Sequence, residues 1–260
     1  MGLFHRRDKE SPAAPQAPRG GGESSEQVQF LIPRGVTWTT NDIFALEARG
    51  AYAEALEKWR VLLVPYEDPK FAAQIRSMPA HRVIWLHIGL CSRHLERFDD
   101  AIQAYGKAET LAREAGDKSL LLQVLNALGV VHRHRGDIDA SLTCLERALS
   151  EAKAEGEAGT LAGIHDNMAH CHLLRGDLQR ALREAEAAYA EFASSPSRVH
   201  GSVQSRVLGN LGMIHRELGN REQAMEFLQR ALSKAREVGD RAQEALILEN
   251  LSTMSGSGRS

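Results

Sequence analysis

Four side chains able to bind a metal, His165, His170, Cys171 and His172, fall within eight residues of one another, and His132 and His134 form a second close pair. A helix brings ligands together at i and i+4. The residue four after His165 is Ala169, and His170 and His172 point to different helix faces, so the spacing argues against a metal centre. Cys91, Cys144 and Cys171 give an odd count with no C-x-x-C pair, which suits a reducing cytoplasm and neither a disulfide framework nor a zinc knuckle. Their apolar neighbours make them small buried side chains. Neither G-x-S-x-G nor H-E-x-x-H occurs, and the glycines at 20–22 lie in a low-complexity stretch rather than between a strand and a helix. The residues point to no catalysis, no metal and no cofactor. Acidic pairs such as Glu184 and Glu186 read as solvated helix faces. The remaining chemistry is recognition, by the amides of asparagines and the guanidinium groups of arginines.

The elements that must position those groups are helical. The chain has 260 residues, 32 Lys plus Arg against 34 Asp plus Glu, and no block of like charge, which disfavours nucleic acid and anionic membranes as partners. No apolar run approaches the roughly 18 residues that span a bilayer. The opening MGLFHRRDKE is charged where a signal peptide would be apolar, and Arg6 spoils a myristoylation pattern. Alanine- and arginine-rich wording fits a bacterial protein, and a cytoplasmic location is expected. Seven of the eight prolines lie before residue 80 and the eighth is Pro196. Residues 1–29 carry SPAAPQAPRGGGESSE and are expected to be a disordered tail. Residues 30–39 read as an extended entry segment, 40–254 as one helical array with start signals at Thr40 and Asn41, and 255–260 as a disordered C-terminus. Ala, Leu, Glu and Arg dominate from Thr40 with apolar residues at helical spacing, so the class is all-α.

The array is repetitive. LEARGAYAEALEKW (46–59), HLERFDDAIQAYGKA (94–108), HRHRGDIDASLTCLERAL (132–149), HLLRGDLQRALREAEAAY (172–189) and HRELGNREQAMEFLQRAL (215–232) align on a turn at residues 50, 96, 136, 176 and 219. Five residues after the turn stand Ala55, Ala101, Ser141, Ala181 and Ala224, at intervals of 46, 40, 40 and 43. Seven further on stand Leu62, Ala108, Ala148, Ala188 and Ala231. Glycine suits a left-handed helix end at Gly50, Gly136, Gly176 and Gly219, and the adjoining Asp or Asn starts a second helix, so each unit is a helical hairpin. Small residues let two helices cross closely while Tyr105, Leu145 and Leu228 fill the space beside them. Seven before the turn, Gly89, Gly129, Ala169 and Gly212 form another small column. The second helices run on to stops at Gly116, Gly156 and Gly239, and EFASSPSRVHGS (191–202) interrupts the pattern with Pro196 and Gly201.

The Leu-Gly pair, the Gly-Asp turn and the two alanines together resemble the tetratricopeptide repeat, over about residues 42–254. The period exceeds the family's usual 34 and is similar to the extended-helix subgroup of kinesin light chains, spindle adaptors and bacterial peptide-sensing regulators. The resemblance implies a right-handed α-solenoid of about five hairpins, capped by a terminal helix over Arg241–Met254, with first helices lining a concave groove. Residues nine, six and three before each turn then share the groove face: His87, Leu90 and Arg93; Ala127, Val130 and Arg133; Asn167, His170 and Leu173; Asn210, Met213 and Arg216. Asn126 lies one residue out of the column and Asn250 continues it. The resemblance implies that Asn167, Asn210 and Asn250 grip the backbone of an extended peptide, while Arg93, Arg133 and Arg216 favour an acidic or C-terminal segment. The candidate peptide-binding set is thus His87, Arg93, Asn126, Arg133, Asn167, His170, Asn210, Met213, Arg216 and Asn250. His132, His172 and His215 share the position four before the turn, where the family usually packs an aromatic. The function expected is a non-enzymatic adaptor binding a protein or peptide segment in its groove. A peptide-sensing regulator stands second, a signalling phosphatase using DNMAHCH third, and self-association of the exposed stack end is a further option.

Overall fold

Repeated stop and start signals set the element boundaries. The computed structural model describes residues 4–5, 30–70, 78–155, 158–194 and 199–256. The expected tail, 1–29, lies outside them apart from Phe4 and His5, as do Gly156, Pro196 and residues 257–260. Among the described residues are eleven α-helices: α1 (Thr40–Ala48), α2 (Tyr52–Leu63), α3 (Pro79–His94), α4 (Phe98–Ala115), α5 (Lys118–Arg135), α6 (Ile138–Glu155), α7 (Ala158–Leu174), α8 (Leu178–Ser194), α9 (Gly201–Glu217), α10 (Arg221–Val238) and α11 (Arg241–Gly256). A two-residue antiparallel pair joins β1 (Phe4–His5) to β2 (Ile32–Pro33). The fold is all-α, a run of consecutive helical hairpins, and it divides into two compact units, Met1–Arg135 and Gly136–Ser260.

In the first unit each helix from α1 to α5 packs on its successor, and the first helices of neighbouring hairpins, α3 and α5, also touch. Its core centres on Trp59, Ile43, Leu56, Leu62 and Ile84, all at most 1% exposed, with Phe30, Leu31, Ile32 and Trp38 of the entry segment packed against them. The Leu31 amide donates to the Tyr66 hydroxyl (2.9 Å), tying that segment to the residues after α2. The N-cap of α1 is Thr39, one residue before the expected start: its hydroxyl accepts from the Asp42 amide while Asp42 accepts from the Thr39 amide, a reciprocal capping box. In the second unit α6 to α11 likewise pack in succession, and α9 touches both α7 and α11.

The turn residues do what their chemistry requires. Gly116 ends α4 at φ +66°, with its own amide on Arg113 O and that of Asp117 on Ala112 O, and the Asp117 carboxylate then accepts from the Leu120 amide to open α5. Asp177 and Asp240 cap α8 and α11 the same way, through the Arg180 and Gln243 amides. Asn220 does not cap α10; its amide lies 3.3 Å from His215 Nδ1 instead. The second hairpin lacks the turn glycine, and Glu96 occupies the left-handed region at φ +58°. Left-handed backbone costs a residue with a Cβ about 1–2 kcal/mol, part of which glycine gives back through unfolded-state entropy. Glu96→Gly is therefore expected to stabilise the protein by about 0.5–1 kcal/mol, read as a higher urea midpoint; an unchanged or lower midpoint would contradict the assignment of strain there.

The small columns are buried as their spacing requires. Ala55, Ala101, Ser141, Ala181 and Ala224 are all fully buried, as are Leu62, Ala108, Ala148, Ala188 and Ala231. A Cβ placed on Gly89 would stand 2.6 Å from the Tyr105 ring, and one on Gly212 would stand 2.6 Å from Leu228 Cγ. The first helix thus surrenders a side chain where the second helix inserts one.

Candidate functional site

The first helices carry the candidate groups because the left-handed turns, at glycine or at Glu96, recur in one phase, so positions three, six and nine before a turn fall on the same face. In the second unit those helices are α7, α9 and α11. Asp166 on α7 is the electrostatic centre. Its side chain is 2% exposed, and it accepts from Asn210 Nδ2 (2.7 Å) and Arg206 Nε (2.6 Å), both on α9. A buried carboxylate needs such donors to offset the loss of water. Arg206 is 42% exposed, so its guanidinium is fixed at Nε while its outer edge faces solvent. One hairpin further, Arg216 Nη1 donates to Asn250 Oδ1 on α11 (2.5 Å), and Asn250 Nδ2 donates to Leu246 O (2.9 Å). Arg216 also engages Glu217 through Nε and Nη2. Met213, half-buried, lines a depression of about 330 Å³ with Leu173, Leu178, Arg216 and Glu217.

The structure therefore brings Met213, Arg216 and Asn250 together and joins Asn210 to Asp166 and Arg206, two residues outside the sequence-derived set. Asn167 is buried and His170 half-buried on α7. Of the three amides expected to grip a peptide, Asn210 donates to Asp166, and Asn250 uses both its oxygen and its nitrogen within the protein. Spacing carried a signal for Arg206, since it precedes Asn210 by four residues and so shares its face.

In the first unit the set separates. His87 Nδ1 lies 2.9–3.0 Å from the two carboxylate oxygens of Glu47 on α1, and its ring stacks on Trp59 (4.8 Å) and meets Phe44 edge-on (5.1 Å). Glu47 also accepts from Trp59 Nε1 (2.7 Å) and Cys91 Sγ (3.4 Å). Burial pushes the Glu47 carboxyl upward, but hydrogen bonds from His87, Trp59 and Cys91 and the His87 charge outweigh it and hold the group below its ordinary range. Burial, with Glu47 adding to it, pushes the Cys91 thiol well above the usual thiol range, so it is no nucleophile. This cluster fastens α1 and α2 to α3. Arg93 and Arg133 instead reach half-buried positions near the ends of α3 and α5, with Asn126 half-buried further back on α5. Arg93 Nη2 lies 3.0 Å from His94 Nε2.

Two expectations about polar residues need correction or refinement. Glu184 is not a solvated residue: its carboxylate meets His165 Nδ1 at 2.7 Å across α7 and α8. The histidine column does pack: His215 stacks on Phe227 with rings 3° from parallel, and His172 is 7% exposed with Nδ1 buried and without a hydrogen-bond partner. Burial holds the His172 imidazole below its ordinary range, with the Glu184 and Asp177 charges opposing it. A folded-state value below that of the unfolded chain means that His172 destabilises the protein as pH falls below about 6.5, because only the unfolded chain takes up the proton readily. His172→Phe is expected to stabilise by about 1 kcal/mol at pH 7.5 and by more at pH 5.5, measured by urea unfolding at both; an equal or smaller gain at the lower pH would contradict it.

Among the described residues there is no group of three or more His, Cys, Asp or Glu that could hold a metal, and no helix is long and apolar enough to cross a membrane. Residues 82–154 and 206–238 match family models described as tetratricopeptide repeat. No curated protein matches the chain by sequence. Among solved structures, the fold is similar to the Podosopora anserina putative kinesin light chain with nearly identical TPR-like repeats, at 12% identity and TM-score 0.59, over 77% of this chain and 94% of that one. It is also similar to the apo form of RapI, at 13% identity and TM-score 0.67, over 81% and 74%. A third is a Rap protein complexed with Competence and Sporulation Factor, at 14% identity and TM-score 0.62, over 82% of this chain and 63% of that one.

Proposed function

Since the chain is a tetratricopeptide-repeat protein, we propose that it is a non-enzymatic interaction protein whose first-helix faces hold a carboxylate-bearing segment of a partner protein. The observation that carries this reading is the Asp166–Arg206–Asn210 group. A buried carboxylate spends its charge orienting an arginine whose outer edge is left to solvent, which is how a guanidinium is prepared for a partner carboxylate or carbonyl with little ordering cost. Asn210, buried beside it, holds the same carboxylate through its nitrogen and so helps to fix the Arg206 anchor. Arg216 adds a second cation ten residues further along α9, and the depression beside it offers an apolar contact at Met213. The Rap protein seen with Competence and Sporulation Factor supports the reading by showing that a similar fold accommodates such a factor.

The test is affinity capture with the wild-type chain and with His170→Ala/Met213→Ser/Arg216→Ala, whose three side chains are half-buried and whose loss leaves the apolar core intact. Partners held by the wild type are expected to be lost from the variant while its far-UV circular dichroism is unchanged. Equal recovery of every partner would overturn the proposal.

A further inference from the structure

The first unit carries a cluster in which two arginine–histidine pairs recur at the same repeat position, Arg93 with His94 near the end of α3 and Arg133 with His134 near the end of α5. Both histidines are exposed, and both rest on aromatic rings: His94 lies flat on Tyr52 of α2, with ring centroids 4.0 Å apart and planes 4° from parallel, and His134 tilts over Phe98 of α4 at 6.1 Å. We propose that these four residues form a binding site for a run of carboxylates on a partner segment, at which His94 and His134 gain protons as the segment binds. This rests on the reading that the chain takes an acidic partner and adds the residues and the regulation.

Burial, then the Arg93 charge, holds the His94 imidazole below its ordinary range, with His134 also lowering it and Glu47 of α1 opposing. Burial, then Arg133 and Arg93, does the same to His134, with Glu96 at the α3–α4 turn opposing. Arg135, next to His134, is occupied with Asp99 at 2.8 Å. Within the unit both imidazoles are therefore held toward the neutral form by burial first and by the repulsion of the neighbouring guanidinium groups second, with Glu47 and Glu96 opposing. A carboxylate arriving there removes that repulsion and favours the imidazolium, so binding takes up protons and must strengthen as pH falls. The His94 ring, stacked on Tyr52, loses little further freedom when it engages. The spread of two cationic pairs over two successive first helices suits spaced side-chain carboxylates along an extended segment. Glu96 and Asp99, interleaved with the cations, oppose a continuous polyphosphate.

The experiment uses the full chain and a tetramethylrhodamine-labelled peptide of alternating Asp and Gly, whose carboxylates stay ionised between pH 5.5 and 7.5, with single-stranded DNA as the competing anion class. The wild type is expected to bind the peptide about tenfold more tightly at pH 5.5 than at 7.5, and more tightly than the DNA. His94→Gln/His134→Gln is expected to keep the wild-type affinity of pH 7.5 at both values. In wild-type NMR spectra two histidine titrations should move to higher pH on adding peptide, a readout independent of whether the variant folds. Binding that is equal at the two pH values, or a pH dependence that survives in the variant, would overturn the proton-coupled site while leaving the acidic-partner reading standing. Absence of peptide binding at both pH values, or preference for DNA, would overturn both.

Discussion

Gly212→Val is expected to lower the melting temperature of the protein by about 10 °C, the cost of roughly 3 kcal/mol of overpacking. A Cβ at this position would stand 2.6 and 2.9 Å from Leu228 Cγ and Cδ2 and 3.2 Å from the Ala224 carbonyl, and Leu228 is fully buried. Two branched methyls add to that clash. The higher helix propensity of valine over glycine returns only a few tenths of a kcal/mol. The chain also contains its own compensated solution. The fourth hairpin has Ala169 where the fifth has Gly212, and there the residue sixteen further on is Ala185 rather than a leucine, both members being buried. Gly212→Ala/Leu228→Ala should therefore melt above Gly212→Ala alone, although Leu228→Ala by itself opens a cavity worth about 2–5 kcal/mol. Strictly additive losses in differential scanning calorimetry would contradict a direct contact between the two columns.

Asp166→Ala is expected to cost about 3 kcal/mol. Most of this comes from Asn210, whose amide is left buried and without an acceptor, and less from Arg206, which is exposed enough to swing into water. Asp166→Asn keeps an oxygen for one of the two donors and should recover part of the loss. The same change bears on function: with its anchor gone, Arg206 becomes mobile, and partner affinity should fall further in Asp166→Ala than in Asp166→Asn. A chevron or equilibrium urea series on the two variants and on Arg206→Ala would measure the coupling, expected at about 1–2 kcal/mol. Coupling near zero would mean that the group does not act as a unit.

How much of this was legible in the sequence follows from what repeats. The hairpins, the left-handed turns and the paired small columns recur in every unit at fixed phase, so Ala101, Ser141, Ala181 and Ala224 identify themselves by alignment of the chain with itself. The second-hairpin turn also falls in phase, at Glu96, although no glycine marks it. The decisive polar contacts do not repeat. Glu47 meets His87 forty residues away, and Asp166 meets Asn210 forty-four residues away, between first helices of different hairpins and through carboxylates that no other unit carries at the same place. Nothing in one repeat announces its partner in the next. Asp166 stood one position from the predicted face at Asn167, and Arg206 lay one helical turn before Asn210; a search for opposite charges between adjacent first helices would have reached both. The engagement of the Asn250 oxygen and of the Asn210 nitrogen within the protein depends on partners in other helices and leaves no mark on their own repeat positions.

Recognition is expected on the leading helices of the hairpins. A photo-cross-linking residue introduced at Met213 on α9, and separately at the exposed Arg183 on the second helix α8, tests this directly. Cross-linked partner from position 213, competed by unlabelled partner and absent from position 183, is the predicted result. Adducts forming equally or preferentially from position 183 would show that the partner sits on the second helices and would contradict the account.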